Sequence, residues 1–259
     1  MITSNGPREQ ILLMGGWGAG KSTAISDIAR NISGRVYVID TTYEAERNYH
    51  GQDNVIVERV EQWDDYLAGI RKATVRGTRD DWLAVDRVDP VWDSAQNGFI
   101  EKVFGKTADA WFVEFRAESS GHPLAGEYGM NWAVIKKMYG AFMTEVMRFK
   151  GNVIVTARAD QIQNPNRDGS GGDSTEIRAE FGKYGVKPAG EKNLGFLFHT
   201  VLLLAEPRQG EWTYTTIRDR NRPQMKGETM KSFCESYLIP IAGWTTSETE
   251  SNDGDNSLL

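Results

Sequence analysis

Cysteine is almost missing from this sequence: Cys234 is the only one in 259 residues. That excludes an intramolecular disulfide and any cysteine-built metal site, and it fits a reducing, cytoplasmic setting. Long apolar runs are missing too. The longest, Leu194 to Ala205, is too short to cross a bilayer, and Met1 to Arg8 lacks the apolar core of a signal peptide, so neither membrane insertion nor secretion is expected. Nor is there an excess of positive charge. A formal net charge of −6 argues against coating duplex DNA by bulk electrostatics, so any nucleic-acid contact has to be local.

What is present describes an ordinary globular chain. With 39% hydrophobic and 25% charged residues, neither disorder nor a fibrous repeat is suggested, and the length suits one α/β domain over residues 1–244. Residues 245–259 carry Glu248, Glu250, Asp253 and Asp255 with no basic residue and almost nothing to bury, which predicts a disordered acidic tail.

Gln10 to Met14 reads as a strand buried on both faces, and Ala24, Ile25, Ile28, Ala29 and Ile32 recur at helical spacing before Gly34. Val36 to Ile39, Val55 to Val57, Trp82 to Val85 and Val153 to Thr156 are further strands. Between them, Trp63, Tyr66, Leu67, Ile70 and Ala73 mark one helix, and Trp132, Ile135, Met138, Tyr139, Phe142, Val146 and Phe149 mark another. Alternation of strand and helix predicts a parallel sheet. Phe198 to Leu204 and Trp212 to Ile217 predict an antiparallel hairpin at its edge, and Glu228 to Tyr237 a closing helix. Residues 93–130 read as an insertion, and 160–192 as a mobile loop centred on the Gly-, Asn-, Asp- and Ser-rich stretch Asn164 to Ser174.

The decisive segment is GGWGAGKS, Gly15 to Ser22, which satisfies G-x-x-x-x-G-K-[ST] between the first strand and the first helix. Binding several phosphate oxygens at once needs successive backbone N–H groups aimed at one point, and Gly15, Gly16, Trp17, Gly18, Ala19 and Gly20 form such a loop. Lys21 then sets a compact positive charge against the β and γ phosphates of ATP, the Ser22 hydroxyl is placed for Mg2+, and Thr23 extends the helix start.

An acid at the end of another buried strand should share the metal. Asp86 fits, with Asp89 as the alternative. Hydrolysis also needs a carboxylate that orients or deprotonates water, for which Glu44 and Asp40 compete at the rim where parallel strands end. Thr156 and Arg158 end a strand where they could feel the γ-phosphate. Arg218, Arg220 and Arg222 alternate after the hairpin strand, which predicts one strand face bearing three like charges turned toward an anion.

With GGWGAGKS, VYVID (Val36 to Asp40), LAVDRVDPVW (Leu83 to Trp92), VIVTAR (Val153 to Arg158) and TIRDRNRP (Thr216 to Pro223) in place, the chain resembles the phage-encoded RecA-like P-loop ATPases over roughly residues 8–230. The resemblance implies a three-layer fold with a mostly parallel central sheet and a C-terminal antiparallel hairpin. It also implies Mg2+-dependent ATP hydrolysis in phage recombination or replication inside an infected bacterial host. Homo-oligomers, rings or filaments, would place Arg218 and Arg220 on a neighbour's ATP, and single-stranded DNA would meet the loop holding Arg167, Arg178, Lys183, Tyr184 and Lys187. The sequence departs from that pattern where Thr41 and Thr42 precede Glu44, displacing the glutamate. A P-loop kinase with residues 160–192 as its lid and a nucleotide-gated adaptor with weak ATPase activity are the competing readings.

Overall fold

A computed structural model describes residues 2–3, 6–119, 132–167, 171–208, 211–226, 229–230, 233–239 and 242–246. Among them, nine strands share one sheet: β1 (Gln10–Gly15), β2 (Val36–Asp40), β3 (Val55–Arg59), β4 (Trp82–Asp86), β5 (Asn152–Gln161), β6 (Val186–Pro188), β7 (Thr200–Arg208), β8 (Glu211–Asp219) and β9 (Thr229–Met230). The order β3-β2-β4-β5-β1-β7 is parallel throughout. Beyond it, β8 and β9 add antiparallel strands at one edge, and β6 pairs antiparallel with the far end of β5.

Besides the four-residue helix Ala45–Asn48, the described residues form six α-helices around this sheet: α1 (Lys21–Asn31), α2 (Trp63–Arg76), α3 (Asp89–Phe104), α4 (Ala108–Ser119), α5 (Trp132–Met147) and α6 (Thr175–Phe181). Because successive strand residues point to opposite faces, each central strand feeds two cores. Leu12, Met14, Leu83, Val85, Val153 and Val155 face α2, α3 and α5, where they meet Ile70, Val91 and Phe142. Their neighbours Ile11, Leu13, Trp82, Ala84, Ile154 and Leu202 face Ile25 and Ile28 of α1 together with Phe233, Tyr237 and Leu238. All six residues of β1 are buried, as a strand flanked by β5 and β7 and covered on both faces must be. The α/β class, the mostly parallel sheet and the C-terminal antiparallel pair β7–β8 are thus those expected.

The structure departs from the sequence reading at several elements. The segment read as an insertion begins inside α3, whose Val91, Ala95 and Phe99 recur every fourth residue and enter the main core; residues 120–131 lie outside the described residues. In place of a mobile loop over 160–192, β5 runs on to Gln161, α6 begins at Thr175 under a Ser174 cap, and β6 returns along β5. An ion pair between Lys187 and the buried Asp173 ties that return together, which glycine-rich composition does not disclose; residues 168–170 lie outside the described set. Where a closing helix was expected, β9 and a single π-helical turn, Cys234–Leu238, are found. Thr245 and Thr246 pair with Ile2 and Thr3, and the rest of the expected acidic tail lies outside the described residues.

Candidate nucleotide-binding site

Strand β1 ends at Gly15, where a side chain has no room: a Cβ there would stand 2.7 Å from the Leu204 carbonyl oxygen of β7. The chain then crosses the rim of the sheet and enters α1 through Gly20, which has φ +85° and caps the helix in the left-handed region. A side chain on Gly20 would also overlap the Trp212 indole of β8. Lys21 folds back over the loop, its Nζ donating to the carbonyls of Gly15 at 3.0 Å and Gly16 at 2.6 Å. Burial pushes its ammonium below the usual lysine value, and Asp86 pulls it back up.

A cavity of about 360 Å³ opens above this loop, lined by Trp17 through Thr23 and, from other elements, by Thr42, Glu44, Asn48, Asp86, Arg87 and Arg158. Asp86 forms its floor. It is 2% exposed, and its carboxylate accepts from Tyr49 Oη at 2.9 Å, from Thr156 Oγ1 at 3.0 Å and from the Ser22 hydroxyl. Burial raises its pKa above the ordinary aspartate value, while these three donors work in the opposite direction. Tyr49 is itself pushed well up by burial and by Asp86, which keeps the phenol a donor. The phosphate loop, the hydroxyl beside the acid and the cavity between them are those of a P-loop nucleoside triphosphatase.

The carboxylates of Asp40 and Asp89 are both engaged by neighbouring groups. Both oxygens of Asp40 are occupied by the turn that follows: Oδ1 accepts from the Thr42 and Tyr43 amides and the Thr42 hydroxyl, and Oδ2 from the Ala45 amide, all between 3.0 and 3.2 Å. That buried aspartate shapes the loop, and the loop carries the exposed Glu44 to the cavity. Asp89 likewise has other partners, since it takes the Arg87 guanidinium at 2.5 Å and the Arg158 amide at 3.2 Å.

Arg218 and Arg220 share a face, both donating into residues 195–198; Arg222 departs from it, and none of the three lines this cavity. Arg218 pairs with Val201, whose parallel neighbour in β1 is Leu12, and the Arg220 amide bonds to His199, so both lie toward the amino-terminal ends of the parallel strands, the opposite rim from Gly15. Half-buried Arg218 donates to the carbonyls of Gly195 and Phe198 and pairs with Glu180 at 3.4 Å. Arg220 is exposed and donates to the Phe196 carbonyl at 2.8 Å. Strand alternation fails because β8 ends at Asp219, and Arg222 turns back into an internal cluster with Glu9, Asp219 and Tyr237.

Sequence reading overlooked Arg87, Tyr49 and Trp212. A basic residue directly after a strand-ending acid was the available signal for Arg87, whereas Tyr49 and Trp212 reach the site only through tertiary packing.

Residues 8–187, more than half of the chain, match the family model described as AAA domain, and the chain belongs to that family. No curated protein matches the sequence. Among solved structures, the assembled ATPase EscN in complex with its central stalk EscO, from the type III secretion system of enteropathogenic E. coli, is similar at TM-score 0.45 and 11% identity, over 79% of this chain and 44% of that one. A prototypical ATPase from the type III secretion system of pathogenic bacteria is similar at TM-score 0.41 and 13% identity, over 76% of this chain and 51% of its own. The chain therefore spans about half the length of these ATPases.

Proposed function

We propose that the chain hydrolyses ATP with Mg2+, and that Glu44 orients and deprotonates the attacking water. One observation carries the reading: Lys21, Ser22, Asp86 and Glu44, drawn from three separate parts of the sequence, converge on one cavity. Loop amides and Lys21 would hold the phosphates. No group of three or more His, Cys, Asp or Glu able to hold a metal ion occurs among the described residues, and an oxygen pair such as Ser22 with Asp86 suits an ion that keeps waters and phosphate oxygens as its remaining ligands. Bound there, Mg2+ would neutralise charge between the β and γ phosphates. Glu44 takes the proton of the water that attacks phosphorus, and the bond to the bridging oxygen breaks to release ADP.

The fuller reading couples this reaction to single-stranded DNA in an oligomer of the phage recombination or replication type. Its support is the path of β5, which runs from Arg158 at the cavity into the segment that carries exposed Arg167 and Lys183 and half-buried Arg178. Lys187 and Tyr184 are withdrawn from that role, by Asp173 and by packing on the core. In such an oligomer, exposed Arg220 would be the arginine that reaches the neighbouring molecule, and its exposure supports that role.

The test is ATP turnover with and without single-stranded DNA, with particle mass followed in parallel. Lys21→Ala should abolish nucleotide binding, and Glu44→Gln should retain it while slowing hydrolysis by at least about 100-fold. Hydrolysis by Glu44→Gln at the wild-type rate would remove Glu44 from the mechanism, and DNA-independent turnover by a monomer would remove the DNA coupling.

A further inference from the structure

Directly after Asp86 the backbone takes a conformation that an arginine does not choose. Arg87 has φ +71°, in the left-handed region that costs a non-glycine residue about 1–2 kcal/mol, and its N–H is pinned by Thr156 Oγ1 at 2.8 Å. The turn brings Arg87 into the lining of the phosphate cavity beside Lys21, Ser22 and Arg158. Its guanidinium pairs there with Asp89 at 2.5 Å and lies over the Trp17 ring, 4.8 Å from the centroid. Trp17 is 76% exposed on the phosphate loop itself, so core packing does not account for this large ring. What it touches is the Arg87 guanidinium.

We propose that Arg87 is a further catalytic residue, whose guanidinium leaves the face of Trp17 to bind the γ-phosphate of a nucleotide held by the same chain. The proposal rests on the nucleotide site described above. A planar fork of N–H donors matches phosphate oxygens two at a time, and the exposed cation–π contact it gives up is worth only about 0.5–1 kcal/mol. A triphosphate brings a more concentrated negative charge into the cavity than Asp89 alone supplies. A diphosphate leaves the γ position vacant, so Arg87 stays at rest on Trp17. During hydrolysis the oxygen of water bonds to the γ-phosphorus as the bond to the β–γ bridging oxygen breaks. The electron pair leaves with ADP, the proton passes to Glu44, and Arg87 offsets charge on the transferring group. Arg158 lines the same cavity and is paired as well, with Asp160 at 3.0 Å, and Arg218 and Arg220 lie at the opposite rim; what sets Arg87 apart is its contact with Trp17 of the phosphate loop itself.

The experiment compares the full chain with Arg87→Asn, whose short polar side chain tolerates the left-handed backbone, and with Arg87→Lys, which keeps the charge. Affinities for ADP and for a non-hydrolysable ATP analogue are measured beside turnover, and tryptophan emission is recorded against Trp17→Phe. We expect Arg87→Asn to lose about 10-fold or more in triphosphate affinity, to keep ADP affinity within about 2-fold, and to lose about 100-fold or more in kcat, with partial recovery in Arg87→Lys. The Trp17 part of the emission should change with the triphosphate analogue and not with ADP. Wild-type turnover and an unchanged triphosphate-to-ADP ratio in Arg87→Asn would overturn the assignment while leaving the nucleotide site intact. Failure of the wild type to bind either nucleotide would overturn both. Mixing Lys21→Ala with Arg87→Asn should restore no activity, and restored activity would overturn action within one subunit.

Discussion

Thr156 Oγ1 donates to Asp86 Oδ1 at 3.0 Å and accepts the Arg87 amide at 2.8 Å, so one hydroxyl on β5 fixes both the acid and the strained residue that follows it. Strand β5 stands between β1 and β4 in the sheet, which is why its side chain can reach the end of β4. Thr156→Val keeps the shape and removes the hydroxyl. An unsatisfied Arg87 amide costs about 1–3 kcal/mol, so chemical denaturation should show a loss of that order, with slower turnover, while Thr156→Ser recovers most of both.

Asp86 should be costly to stability and necessary to activity. Burial raises its folded pKa, so its stabilising contribution is fully present below the unfolded value and is lost as pH rises through the folded one. At neutral pH the ionised, buried carboxylate therefore opposes folding. Asp86→Asn should raise the melting temperature at neutral pH, the gain shrinking as the pH is lowered, and hydrolysis should be lost at every pH. A melting temperature that falls, or a gain that grows in acid, would contradict this account.

Arg222 is expected to matter for folding and not for nucleotide. It is tied to Glu9 at 2.9 Å and Asp219 at 2.8 Å, with side-chain exposures of 14%, 3% and 0% respectively, and Tyr237 Oη closes the cluster at 3.1 Å. Arg222→Met leaves two buried carboxylates without their cation, a change that typically costs about 3–5 kcal/mol. Calorimetry should show the large destabilisation, and nucleotide affinity of the fraction that folds should match the wild type.

Gly20→Ala offers a two-part test of the loop. The new methyl meets the Trp212 indole and the backbone stays at φ +85°, so the substitution should destabilise the chain and weaken nucleotide binding. Adding Trp212→Ala removes the overlap but not the strain. The double variant should therefore recover in part; complete recovery would mean that the positive φ contributes nothing.

Much of this architecture could be read from the chain because its signals are local. GGWGAGKS sits where a short continuous apolar run gives way to helical spacing, and Trp82 to Val85 ends in an acid, so strand, loop, helix and strand-ending acid could be placed from the sequence. The role of Asp40 in its turn could not be read in the same way, because it depends on which backbone amides the carboxylate meets after the turn closes. Alternation misled for Arg222 because the strand ends at Asp219, three residues before it. The ordered return at 173–188 was hidden because a single buried ion pair, between residues far apart in a glycine-rich stretch, anchors it.

The match to the AAA family stops at residue 187, whereas the strand bordering β1 on its other side, β7, starts at Thr200. Cutting the chain back to the matched portion would bare one whole flank of Ile11 to Met14, an apolar ribbon of unmet amides and carbonyls suited to recruiting other polypeptides. Material trimmed in that way should precipitate or self-associate, so the smallest piece that behaves as a well-folded unit must extend past the recognisable motif set.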